Sequence, residues 1–146
     1  MSTLVLWLAL VAPPTETNSP LPIGSNRPET GGLHVVGGSS VGTGAASSWG
    51  YGWEFADGSL IEIASNGTTY RRAYFETETY RIMLFAGSSL GACQEWYLGK
   101  GLVASLDLGI GANTAALIWY PTESFRLSLQ LDPLRGRLGW GWRLIL

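Results

Sequence analysis

Between Leu102 and Gly111 the chain alternates without a break: Leu102, Ala104, Leu106, Leu108 and Ile110 hold one parity, and Val103, Ser105, Asp107, Gly109 and Gly111 the other. A period of two places these sets on opposite faces of a β-strand, whereas like-facing residues of a helix recur every ~3.6 positions. Phe125, Leu127, Leu129 and Leu131 repeat the pattern against Arg126, Ser128, Gln130 and Asp132, and Leu138, Trp140, Trp142, Leu144 and Leu146 form a third apolar face. The turn-forming residues from Asp132 to Gly136 let the chain reverse between the last two.

The same reading extends upstream. Ala115 to Tyr120, ended by Pro121, fits a strand, and Tyr51, Trp53 and Phe55 alternate with Gly52, Glu54 and Ala56 before an Asp57-Gly58 turn. Leu60 to Ala64 leads into Asn66-Gly67, the dipeptide favoured in a type I′ hairpin because both positions tolerate positive φ. Thr68 to Ala86 reads as one long returning strand, and Leu90 to Leu98 as a candidate short helix. From Gly31 to Gly58 glycine is so frequent that the start of the segment reads as turns or loop. The total is about seven or eight strands with short connections. The expected fold is all-β: an antiparallel sandwich, jelly roll or small barrel with an extended N-terminal arm.

That arm comprises residues 1 to 32, ahead of a single β domain at 33 to 146. Pro13, Pro14, Pro20, Pro22 and Pro28 make a polyproline-like tether. Before it lie Leu4, Leu6, Trp7, Leu8 and Leu10, anchors suited to adding a strand to a neighbouring subunit. The apolar run from Thr3 to Ala12 is too short to span a bilayer as a helix, and it lacks the basic flank and cleavage context of a signal peptide.

Composition narrows the partners. Apolar residues make up 46% of the chain and charged ones 14%, against roughly 25% charged in an average soluble domain. A surface so poor in charge is expected to be covered by a partner, by copies of the chain or by lipid. A net charge of −2 with nine basic residues gives no footprint for nucleic acid. The single Cys93 cannot form an internal disulfide and reads as a buried thiol.

No catalytic centre, metal site or cofactor site is predicted. Gly87-Ser88-Ser89-Leu90-Gly91 matches a nucleophile-elbow pattern with Ser89 at its tip, yet the sole histidine, His34, lies upstream, the wrong order for a serine hydrolase of that fold. His34 alone reads as a loop or surface residue, since zinc needs several convergent ligands. Glu76 and Glu78 share a strand parity and so do not flank a bond as a glycosidase pair does; Arg71, Arg72 and Arg81 are available to neutralise them across strands. Gly109-x-Gly111 lacks the third glycine and the helix of a dinucleotide site. Trp140 and Trp142, in the company of Leu138 and Leu144, read as buried bulk.

Three functions follow, in order of preference. The first is a non-enzymatic structural protein of a virion, such as a capsid, cement, decoration or tail protein of a phage or virus, made in the host cytoplasm. It would assemble with copies of itself or other subunits through β surfaces and the arm. The second is a small transmembrane β-barrel of the outer-membrane kind. The third is a hydrolase built on Ser89.

Overall fold

A computed structural model describes residues 32–55, 59–77, 79–122 and 124–146. The arm anchors Leu4, Leu6, Trp7, Leu8 and Leu10, the prolines of the tether, Asp57-Gly58 and Glu78 lie outside the described residues.

Ten antiparallel strands close into one barrel. In chain order they are β1 (Gly32–Gly42), β2 (Ser47–Glu54), β3 (Leu60–Ala64), β4 (Gly67–Glu76), β5 (Tyr80–Gly87), β6 (Leu90–Gly99), β7 (Leu102–Ile110), β8 (Ala112–Thr122), β9 (Phe125–Asp132) and β10 (Arg137–Ile145). Each strand pairs with its neighbours in sequence, and β1 closes the ring by pairing along its length with β10, from His34 opposite Ile145 to Gly42 opposite Arg137. This decides among sandwich, jelly roll and barrel in favour of the barrel. It also leaves no edge on the ring where a foreign strand could add.

Three local expectations are corrected. The glycine-rich start is not loop but the whole of β1: with no side chain, glycine lets neighbouring backbone and bulky groups approach closely, as where the Trp142 ring lies over Gly37. Thr68 to Ala86 is two strands, joined at a turn where Thr77 N–H donates to Tyr80 O at 2.7 Å. Leu90 to Leu98 is a strand, β6, paired residue by residue with β7 from Leu90 opposite Ile110. These additions raise the expected number of strands to ten. The chain does reverse beside Asn66-Gly67, but over Ser65 and Asn66 between the paired Ala64 and Gly67; there only Gly67, at φ 132°, has positive φ, so the turn is not the expected type I′.

The two faces of the wall differ sharply. Parity continues from strand to strand through the registers, so that Leu138, Leu131, Trp140 and Leu129 lie on one face, and Arg137, Asp132, Arg143 and Arg126 on the other. The first face is the exterior, where Trp49, Ile110, Leu129 and Trp140 are 70%, 76%, 54% and 49% exposed. Trp140 and Trp142 are therefore not core. The interior holds Glu54, Arg81, Glu95, Asp132 and Arg143, all buried. Every charged residue on a described strand takes the inward parity except Arg72 of β4. An apolar cluster of Met83, Phe85 and Cys93 fills the inner side of β5 and β6, with Ala73 and Ala112 against it.

Three register shifts, at Ala73/Phe75, Tyr97/Gly99 and Trp119/Thr122, lie near the mouth that holds both ends of the described chain. The first reverses parity: Phe75 opposes Ile82 on the outside, and Glu76 then turns inward opposite Arg81. A bulge of this kind re-aims a side chain at a barrel rim.

Candidate functional site

The barrel interior is the candidate site, and ion pairs organise it. Arg81 on β5 is opposite Glu95 on β6, and its Nη2 and Nε donate to one carboxylate oxygen at 2.5 and 3.0 Å. Arg143 on β10 donates through Nη1 to Glu54 at 3.3 Å and through Nη2 to Glu62 at 3.1 Å, reaching past β1 to β2 and β3. His34, with no accessible surface, sets its Nε2 3.4 Å from the same Glu62 oxygen. Arg71 donates to Asp107 at 2.7 Å while its guanidinium lies 5.5 Å from the centre of the Phe85 ring. Tyr97 donates to Glu76 at 2.9 Å. Placing opposite charges in contact offsets much of the cost of removing them from water.

Space remains among these groups. A cavity of about 440 Å³ has Asn66 and Arg137 at one end and Glu54, Arg81, Glu95 and Arg143 at the other. Its wall between them carries small hydroxyl and amide groups, among them Ser40, Thr69, Thr114 and Gln130. Arg81 Nη1 and Arg143 Nε are buried without a protein partner, so they are available to water or a solute in the cavity.

The residues singled out from the sequence fall apart in space. Ser89 stands in the short link between β5 and β6, a strand-to-strand turn with no helix behind it, so the elbow geometry is missing. His34 is not a loop or surface residue: it faces inward on β1 and packs against Gly52, where a Cβ would come 2.7 Å from its Nε2. Glu76 is inward and bonded to Tyr97. Cys93 is buried, as expected, beside Met83 and Phe85. No group of three or more potential metal ligands converges among the described residues. The network built on Glu54, Glu62, Glu95, Arg126 and Arg143 was missed. Its signal was present, because Arg126, Asp132 and Arg143 alternate with leucine and tryptophan, but taking the apolar parity as the core hid it.

No family model and no curated protein matches the chain. A solved structure of the S-type phycobiliprotein lyase CPES from Guillardia theta shares the barrel with a TM-score of 0.51 and 12% identity, over 79% of this chain and 87% of that one. At that identity the likeness is one of fold. The expectation of a virion structural protein is corrected here. A solved structure that shares this fold is that of a lyase and not of a capsid, decoration or tail protein. The closed ring also lacks the free edge through which such a subunit would exchange strands.

Proposed function

We propose that the chain is a membrane-spanning β-barrel of the outer-membrane kind, with a polar, hydrated lumen. The observation that carries this reading is the polarity of the wall. Leucine, isoleucine and tryptophan face outward around the ring, while carboxylates and arginines face inward. A barrel dissolved in water takes the reverse arrangement, because apolar side chains left in water lose the main driving force for folding. Soluble monomers rarely leave more than roughly 300 to 600 Å² of contiguous apolar surface exposed, whereas here exposed large apolar side chains stand on every strand of the ring except β5. In a bilayer these side chains meet hydrocarbon, and closure satisfies the backbone without an edge.

Strand lengths agree. Apart from β3, the strands run 8 to 11 residues, close to the 9 to 11 or so that a strand tilted by about 45° uses to cross. Trp53, Phe75, Tyr80, Trp96 and Phe125 gather near the strand ends at one mouth, and Tyr80 and Trp96 rings lie 5.6 Å apart. Aromatic residues at that position form the girdle that sits at a membrane interface.

The test is refolding from urea with and without detergent micelles or liposomes. The expected product floats with liposomes, resists carbonate extraction and shifts in gel mobility between unheated and boiled samples. A monodisperse, folded monomer in detergent-free buffer would overturn the reading.

The cavity and the likeness to a lyase barrel favour a second reading, a water-soluble protein that holds a small polar molecule in its interior. That reading requires the detergent-free monomer, so the same experiment decides between them.

A further inference from the structure

Near the mouth that holds both ends of the described chain the cavity meets the ion-pair layer of Glu54, Arg81, Glu95 and Arg143, with Arg126 and Tyr120 beside it. The four ion-paired side chains are buried there, and His34 and Val103 next to them are packed to 0% and 2% exposure. Arg143 holds that layer together. It is the register partner of Arg126 across β9 and β10, both inward, so like charge pushes it away from its neighbour and toward Glu54 and Glu62. Two arginines and two carboxylates thus nearly balance, and Arg81 is committed separately to Glu95.

We propose that this layer is a removable barrier across the lumen, and that withdrawing Arg143 opens a water path which passes small inorganic cations in preference to anions. The proposal rests on the membrane-spanning reading and names what that lumen would carry. Withdrawal removes the guanidinium from the passage and leaves Glu54 and Glu62 facing Arg126, an acidic excess that attracts cations and repels anions. Removing the carboxylates instead leaves Arg143 and Arg126 together, and the preference reverses.

The experiment reconstitutes wild type, Arg143→Ala and the double variant Glu54→Gln/Glu62→Gln into planar bilayers under a potassium chloride gradient. Insertion of each is established separately by liposome flotation and heat-dependent gel mobility. Wild type is expected to insert and stay silent, Arg143→Ala to show discrete openings with a cation-selective reversal potential, and the double variant to show openings of opposite selectivity. Should Arg143→Ala fail to fold, the double variant carries the test. Variants that insert and stay silent, a wild type that conducts as they do, or selectivities that do not differ in sign would overturn the barrier. Failure of all three to enter any bilayer overturns the membrane reading instead.

Discussion

Arg143 Nη2 lies 3.1 Å from Glu62 Oε2 across the barrel interior, although 81 residues separate the two along the chain. Between them in the ring stand β1 and β2, so the contact spans the seam where the first and last strands meet. His34 of β1 approaches the same carboxylate oxygen at 3.4 Å. The seam is thus held by the backbone ladder of β1 and β10 and by a charged clasp inside it.

The buried pair of Arg81 and Glu95 gives a stability prediction. Both side chains are nearly inaccessible, at 6% and 4%. Arg81→Ala leaves an unpaired buried carboxylate and is expected to lower unfolding stability by about 3 to 5 kcal/mol. Replacing both residues with methionine removes both desolvation costs and should lose much less. Urea unfolding of the micelle- or liposome-bound protein, followed by tryptophan fluorescence, measures both. Equal losses in the two variants would show that packing, not charge, matters there.

The outer face yields a prediction that depends on its surroundings. Leu129, near the middle of β9, is 54% exposed, so an arginine there would cost little in water. In a bilayer Leu129→Arg is expected to cost about 2 to 4 kcal/mol, and Ile110→Arg at the end of β7 no more than about 1. Refolding yields and unfolding curves in liposomes read the contrast, and equal, small effects at both positions would count against lipid contact.

Gly52 is the space into which His34 fits. A Cβ at Gly52 would collide with the Ile61 carbonyl and come 2.7 Å from His34 Nε2. Gly52→Ala is expected to displace the imidazole and cost about 1 to 3 kcal/mol, the usual penalty of overpacking. Pairing Gly52→Ala with His34→Ala should recover only the part due to the ring. No recovery at all would assign the whole effect to the backbone.

Tryptophan depth is measurable directly. Trp53 is the penultimate residue of β2, whereas Trp140 lies near the middle of β10, and both are about half exposed. In variants that keep only one of them, Trp53 is expected to be quenched best by lipids labelled near the headgroup and Trp140 by lipids labelled deep in the chain. Identical profiles would remove the girdle from the description.

Period-two alternation alone established that this chain makes strands, and it assigned the two parities of β7, β9 and β10 without error. The Asn66-Gly67 dipeptide also marked where the chain reverses between β3 and β4, though not the geometry of the turn: the loop is Ser65-Asn66, and Gly67 already belongs to β4. What alternation does not carry is which parity faces the interior, since the pattern is identical for a core in water and a belt in lipid. Closure settled it: once β1 pairs with β10, the inward volume is fixed, and Arg126, Asp132 and Arg143 occupy it while Leu129 and Trp140 stay outside. Two other features depended on tertiary contacts. β1 has glycines where a propensity reading expects none in a strand, and their use is visible only against Trp142 across the pair. Glu76 turns inward because of a bulge opposite β5, a misfit between two strands that neither encodes on its own.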